Sequence, residues 1–132
     1  MISTRGRYAL EVMIDLASHR DAGYIPMKDV AARQDLSLKY LEQILPALTK
    51  SNLVEAVQGK GGGYRLTRDP SEIRIGDILR VTEKELAPVS CLSTGADQCP
   101  KRGECKSIDF WEGYNNAVTA YIDSRTLDEL IV

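Results

Sequence analysis

The chain has 132 residues, of which 43% are hydrophobic and 27% are charged, and its formal net charge is −2. This length fits one domain, with or without an accessory segment, and the composition excludes disordered and fibrous proteins. No stretch approaches the roughly 20 apolar residues of a membrane-spanning helix, and no apolar signal core follows the N-terminus. We therefore expect a cytoplasmic protein without a membrane partner.

The charge is distributed unevenly along the chain. Residues 1–68 contain ten Lys/Arg against seven Asp/Glu, whereas residues 69–132 contain seven against twelve. The first half is therefore mildly basic, although the whole chain is acidic. Because the local field decides docking, this asymmetry permits a phosphate-binding face in the first half.

Hydrophobic spacing predicts three helices in the first 50 residues. The first covers residues 5–19, with Thr4 as its N-cap, and the second covers Met27–Gln34. The third is capped by Ser37 and runs to about Lys50, although Pro46 removes one of its backbone donors.

The third helix combines an apolar face with a face of long polar side chains. Lys39, Glu42 and Gln43 share the polar face because they stand at i, i+3 and i+4. Glutamine pairs with adenine, lysine with guanine or a phosphate, and glutamate accepts a hydrogen bond from cytosine. A solvated surface is the alternative interpretation. The apolar face comprises Leu38, Leu41, Ile44, Leu45 and Leu48.

Two short strand patterns flank a glycine run. Residues 53–57 and 64–67 predict a β-hairpin around residues 58–63. The run lacks the Lys-Ser or Lys-Thr of a nucleotide-binding loop, so we interpret it as a wing tip that presents Lys60. The order helix, helix, turn, helix and hairpin predicts a mainly α (α+β) fold, a winged helix-turn-helix. A small α+β domain with an incidental hairpin is the alternative.

The remainder predicts a fourth helix over residues 75–81, an irregular loop over residues 86–106 and a long helix over residues 107–123. We divide the chain into a DNA-binding domain (1–82), a cysteine-bearing segment (83–106) and a dimerisation helix with a tail (107–132). The last helix has apolar residues at 3-4-3 spacing, which is typical of a dimer seam. Packing on its own core is the alternative. The seam comprises Trp111, Tyr114, Val118, Tyr121 and Ile122.

The cysteines of the chain all lie in the predicted loop. Cys91, Cys99 and Cys105 lack the paired Cys-x-x-Cys spacing of zinc sites. Three thiolates on a glycine- and proline-containing loop favour an iron–sulfur cluster or a redox role over ordinary thiols. His19 stands far from them in sequence, and no nucleophile–base pair is apparent, so we do not expect an enzyme.

At this point the sequence resembles a known family. Ser3–Leu10, Leu38–Gln43, Gly59–Tyr64, Ile75–Leu79 and Thr126–Leu130, together with the three cysteines, are similar to winged-helix iron–sulfur regulators of the IscR type. That group has nitric-oxide-sensing (NsrR), iron-responsive (RirA) and cysteine-metabolism (CymR) relatives. The resemblance implies a homodimeric transcription factor that binds palindromic double-stranded DNA, most simply a repressor of iron–sulfur assembly or iron-homeostasis genes.

The resemblance also assigns site residues. It places Lys39, Glu42 and Gln43 at base-contacting positions, and the wing position that often carries arginine is Gln58 here, which leaves that contact to Lys60. The cysteines fall on the three cluster ligands. The DNA-binding set expected on this basis is Ser37, Lys39, Tyr40, Glu42, Gln43, Gln58, Lys60 and Gly61.

One position departs from the family pattern. The IscR type completes a 2Fe-2S site with a histidine three residues after the last cysteine, where this chain has Ile108. A 2Fe-2S cluster remains favoured, a 4Fe-4S cluster is left open, and a metal-free, thiol-sensing or partner-regulated repressor of the CymR type is the alternative. The candidate fourth ligands are Glu104, Asp109 and Glu112, or Glu11 and Asp15 of a partner chain.

Overall fold

The computed structural model describes residues 2–93 and 102–131. Over these ranges the chain forms five α-helices and one two-stranded antiparallel sheet, which confirms the predicted winged helix-turn-helix. The elements are α1 (Thr4–Ser18), α2 (Met27–Gln34), α3 (Leu38–Lys50), β1 (Val54–Val57), β2 (Gly63–Leu66), α4 (Ile75–Thr82) and α5 (Ile108–Ser124).

Side-chain caps set where α1 and α3 begin. The predicted cap Ser37 is confirmed, since its hydroxyl accepts a hydrogen bond from the Tyr40 amide. The prediction of Thr4 as the α1 cap is wrong, because Ser3 precedes the first turn in extended conformation and accepts from the Gly6 amide. Pro46 stands inside α3 without ending it.

A single hydrophobic core lies between α1, α2, α3, α4 and the hairpin. The inward face of α3 is as predicted except for Leu38, which is 42% exposed. Leu38 is the first residue of α3, and the buried face of the helix begins one turn later at Leu41. The largest buried side chains include Met13, Leu16, Leu41, Ile44, Leu45, Leu48, Ile73 and Ile78.

The hairpin gains a third extended segment that the sequence did not indicate. Ile25 and Tyr64 exchange two backbone hydrogen bonds of 2.9 Å, which adds Ile25 to the β2 edge. Gly63 permits this pairing, because a Cβ there would lie 2.3 Å from the Ile25 carbonyl. The wing is therefore tied to the turn that precedes α2.

The residues after α5 return to the core. Leu127 is fully buried, and its amide donates to the Ile73 carbonyl at 2.8 Å. Thr126 and Glu129 form a capping box that begins a short 3₁₀ turn, Leu127–Leu130. In contrast, α5 has no fully buried residue and packs along α4. No described helix is long and apolar enough to cross a bilayer.

Candidate nucleic-acid interface and cysteine segment

The outer face of α3 carries the polar side chains predicted to contact bases. Lys39, Glu42 and Gln43 are all exposed, whereas the opposite face of α3 is buried in the core. Ser37 is exposed and occupied as the helix cap. The Tyr40 ring is half-buried and meets the Tyr8 ring edge-on, with centroids 5.2 Å apart. The first turn of α3 is therefore fixed against α1 while its polar face remains open.

The wing tip is exposed and has a defined backbone. Gln58, Lys60 and Gly61 all lie on the surface, as their predicted role requires. Gly61 has a φ of 79°, a conformation that favours glycine. A Cβ on Gly62 would lie 2.2 Å from the Val57 carbonyl oxygen, so the turn closes on itself too tightly for a side chain.

The outer face of the wing carries a cluster that sequence analysis missed. Arg65 donates to Glu55 at 2.6 Å, and its guanidinium lies 4.4 Å from the centroid of the Tyr24 ring. Glu55 and Arg65 are cross-strand partners in the hairpin register. The spacing of the two strands could have indicated the Glu55–Arg65 ion pair. The contact with Tyr24 could not be predicted, because it depends on the pairing of neighbouring Ile25 with the sheet.

Arginines bound to carboxylates occur in both halves of the described chain, as in the pairs Arg33–Asp15 and Arg65–Glu55 of the first half. Arg74, Arg80 and Arg125 in the second half each bind a carboxylate, at 2.9, 2.6 and 2.9 Å. Within the described part of the chain, Lys39 and Lys60 form no ion pair. The ammonium groups of Lys39 and Lys60 are therefore available to an anionic partner, and Glu42 adds a negative charge to the same face of α3 as Lys39.

Asp15 is a buried carboxylate that joins α1 to α2. It is 2% exposed and accepts hydrogen bonds from Arg33 at 2.7 and 3.0 Å and from Gln34 at 2.9 Å. Burial alone raises the pKa of Asp15, but these hydrogen bonds and the charge of Arg33 bring it below its ordinary value. The carboxylate is thus occupied within its own chain, which leaves exposed Glu11 as the first-helix candidate for ligating a partner's cluster.

Two of the three cysteines lie in the described residues. Cys91 is half-buried in a 3₁₀ turn after α4, and Cys105 is half-buried just before α5, with its Sγ 3.6 Å from Ser107 Oγ. Cys99 lies outside the described residues. In the ranges 2–93 and 102–131, no three His, Cys, Asp or Glu side chains come together as a metal site.

The chemistry of the donors fits three positions of an iron–sulfur cluster. Thiolates are the usual protein ligands of such clusters. Ile108 opens α5 with a half-buried hydrocarbon side chain and has no donor atom. The chain therefore offers three ligands of the right type, and the fourth position lacks the family's histidine.

The predicted dimer seam forms an aromatic strip along α5. Tyr114 and Tyr121 are exposed, and Trp111 contacts Tyr114 with ring centroids 5.9 Å apart. Phe110, which the predicted seam omitted, is 65% exposed and contacts Trp111. Val118 and Ile122 are half-buried beside them. Phe110, Tyr114 and Tyr121 are therefore large apolar side chains that α5 leaves exposed to solvent.

An exposed polar helix face beside a glycine-tipped wing defines a DNA-binding protein of the winged helix-turn-helix class. The family model described as Rrf2, Iron-dependent Transcriptional regulator, matches residues 2–132. The chain belongs to the Rrf2 family of transcriptional regulators, so it is not an enzyme.

Curated relatives in this family include two proteins named HTH-type transcriptional regulator IscR. The one from Pectobacterium atrosepticum is 34% identical over 130 residues, which cover 98% of this chain and 78% of that protein. The one from Escherichia coli is likewise 34% identical, with 98% and 79% covered. These relatives confirm the predicted resemblance.

Solved structures show the same fold in regulators of two types. CymR (YrzC), described as the global cysteine regulator of B. subtilis, has a TM-score of 0.81 and 38% identity, covering 98% of this chain and 95% of that one. The IscR of T. potens has a TM-score of 0.76 and 35% identity, covering 98% and 85%. The oxidized form of Staphylococcus aureus CymR has a TM-score of 0.74 and 35% identity, covering 98% and 94%.

Proposed function

We propose that this protein is a homodimeric transcriptional repressor that binds a palindromic operator in the cytoplasm and responds to an iron–sulfur cluster held by its cysteine segment. One observation carries the DNA-binding part: the outer face of α3 presents Lys39, Glu42 and Gln43 without burying them, next to an exposed wing tip. A helix with this pattern fits the major groove, where base edges are distinguishable.

In this proposal α3 and the wing make different contacts. Lys39, Glu42 and Gln43 meet base edges, while the Ser37 cap and Tyr40 fix the first turn of α3 beside the phosphates. Gln58, Lys60 and Gly61 lie over the minor groove or the backbone, where cations and backbone amides position a protein without reading sequence. The division predicts that changes in α3 alter specificity, whereas changes at Lys60 weaken binding to all sequences.

Dimerisation through α5 would place two α3 helices on one duplex. The aromatic strip supports this, because burying it removes exposed apolar surface from water. A two-fold dimer presents identical reading faces, which matches a palindromic operator. The strip comprises Phe110, Trp111, Tyr114, Val118, Tyr121 and Ile122.

The cluster proposal rests on donor chemistry and on the family. Cys91, Cys99 and Cys105 would hold the cluster, and the bound cluster would supply a redox- and iron-dependent constraint on the segment between α4 and α5. A 2Fe-2S cluster with Glu104, Asp109, Glu112 or a partner's Glu11 as fourth ligand is favoured, with 4Fe-4S as the other form. Iron–sulfur assembly or iron-homeostasis genes are the proposed targets.

A metal-free regulator of the CymR type is the second candidate. The specific observation in its favour is Ile108, which removes the histidine of the IscR type from the start of α5. Similarity to CymR structures over nearly the whole chain agrees with it. In that case the cysteines would respond to thiol oxidation, or a bound partner protein would set DNA affinity.

Fluorescence anisotropy tests the DNA-binding proposal with a duplex that the wild-type protein selects from a randomised pool. Affinity should fall steeply as salt rises, because phosphate contacts release counterions. Lys39→Ala should weaken binding by about 1–3 kcal/mol if Lys39 contacts a guanine. Lys50→Ala, at the other end of α3, is the matched control. Salt-insensitive or absent binding would contradict the proposal.

Iron and sulfide analysis of oxygen-free protein decides between the two candidates. The cluster proposal expects coloured protein whose visible absorption disappears in Cys99→Ala. Iron-free, colourless wild-type protein would instead support the CymR-type regulator, as would equal DNA affinity of wild type and a variant lacking all three cysteines.

A further inference from the structure

The first residue of the cysteine segment is bonded to the start of α1. Glu83 directly follows α4, and its Oε1 accepts two hydrogen bonds from Ser3, one from the amide at 2.7 Å and one from the hydroxyl at 2.8 Å. The Ser3 hydroxyl oxygen in turn accepts from the Gly6 amide at 3.1 Å. We call these three residues the Ser3–Glu83 latch.

The latch has a steric requirement as well as hydrogen bonds. Gly6 is buried, and a Cβ at this position would lie 2.2 Å from the Glu83 carboxylate oxygen. The carboxylate therefore occupies the space that a side chain would take on the first turn of α1. A negative group at this end is also favoured by the helix dipole.

The latched end of α1 lies beside the recognition helix. Tyr8, in the second turn of α1, packs its ring edge-on against Tyr40, in the first turn of α3. Tyr40 also donates its amide to the Ser37 cap of α3. A continuous series of contacts thus leads from Glu83 through α1 to the end of α3 that carries Lys39.

We propose that Glu83 is a positioning residue for DNA binding: through the Ser3–Glu83 latch, the segment that carries the cysteines sets how α1 is seated against the first turn of α3. The inference rests on the proposed function, since it takes α3 to be the helix that meets DNA. A change in the cysteine segment that draws Glu83 away from Ser3 would free the end of α1 and, with it, the Tyr8–Tyr40 contact. The cysteine segment then affects DNA affinity because it changes the relative stability of the latched and released states.

Gly6→Ala separates this role from a merely structural one. Alanine is a better helix former than glycine by about 1 kcal/mol, which offsets part of the loss of the latch hydrogen bonds, so the variant should remain folded at the temperature of the binding assay. Its Cβ displaces the Glu83 carboxylate, which is the mobile end of a side chain. We expect DNA affinity to fall about fivefold or more, within the range of measured allosteric couplings.

Glu83→Ala tests the same latch from the other side, and Glu72→Ala is the matched control, since Glu72 is an exposed glutamate in the turn before α4. Affinities are measured on the duplex selected by the wild-type protein, and thermal unfolding is followed in parallel. Weaker binding by both latch variants, with Glu72→Ala unchanged and both latch variants fully folded at the temperature of the binding assay, supports the inference. Wild-type affinity in both latch variants would overturn it.

A double-mutant cycle tests the route through α1. If the latch acts through the Tyr8–Tyr40 contact, the double variant Glu83→Ala with Tyr8→Ala should lose less DNA affinity than the product of the fold-losses of the two single variants. Losses that simply multiply would refute the route. Failure of the wild-type protein to select or bind any duplex would instead defeat the proposed function, and this inference with it.

Discussion

Replacing Asp15 by Asn tests whether the buried carboxylate holds α1 to α2. The substitution keeps the shape of the side chain but removes the charge and turns one acceptor into a donor that faces Arg33 and Gln34. Hydrogen bonds to a charged group contribute about 1.5–3 kcal/mol each. Arg33 is 36% exposed and regains water when its partner is lost, so the net cost falls well below the sum. We expect a loss of about 2–3 kcal/mol in the free energy of unfolding.

Urea unfolding at neutral pH measures this loss. With a slope of about 2 kcal/mol per molar urea, the midpoint should fall by about 1–1.5 M. Unfolding of a dimer depends on concentration, so variants are compared at equal protomer concentration. Asp21→Asn, an exposed aspartate in the turn after α1, is the matched control. Equal midpoints for the two variants would refute the reasoning.

The pH dependence gives a second, independent check. The folded state holds the pKa of Asp15 below its ordinary value of 3.8, despite the opposing effect of burial, through Arg33 and Gln34. A lowered pKa means that the stabilisation is complete above the unfolded value and is lost as the pH falls through the folded one. The difference between wild type and Asp15→Asn should therefore shrink as the pH falls below about 4. Other carboxylates with lowered pKa values, such as Asp123, are common to both proteins and cancel.

Two further predictions concern the wing and the proposed dimer. Gly63→Ala should lower the free energy of unfolding in urea by about 2 kcal/mol or more, because its Cβ meets the Ile25 backbone. The control Gly113→Ala, in open space on α5, should leave it unchanged or raise it by up to about 1 kcal/mol. Equal effects of the two substitutions would contradict the steric argument. The double variant Phe110→Ser with Tyr121→Ser should sediment as a monomer, because it removes two exposed aromatic side chains from the proposed interface. The control Asn116→Ser, on the opposite side of α5, should remain a dimer. A dimeric double variant would rule out α5 as the interface.

The sequence predicted the helices and the hairpin well because their signals are local. Ser37 precedes a strongly amphipathic segment, and the hairpin strands flank a glycine run, so neighbouring residues were enough to place both. The α1 cap was assigned one residue late, since Ser3 and Thr4 are both good caps and only the fold, through Glu83, distinguishes them.

Features that depend on distant residues were not predictable. Spacing placed Leu38 on the apolar face, but the core begins one turn later in α3. The burial of Asp15 depends on Arg33 and Gln34 from another helix, and the pairing of Ile25 with Tyr64 joins segments nearly 40 residues apart. Phe110 lay outside the 3-4-3 pattern that defined the dimer seam, although its exposure makes it part of the same aromatic surface.

The burial of Leu127 has a consequence for the order in which the protein is made. The core between α1 and α4 is complete only when this side chain is present, and about 45 residues separate it from the end of α4. At about 5–20 residues per second, a ribosome needs several seconds to add that stretch. During this interval the nascent DNA-binding portion lacks its last core residue, so its final consolidation follows translation of the C-terminal turn.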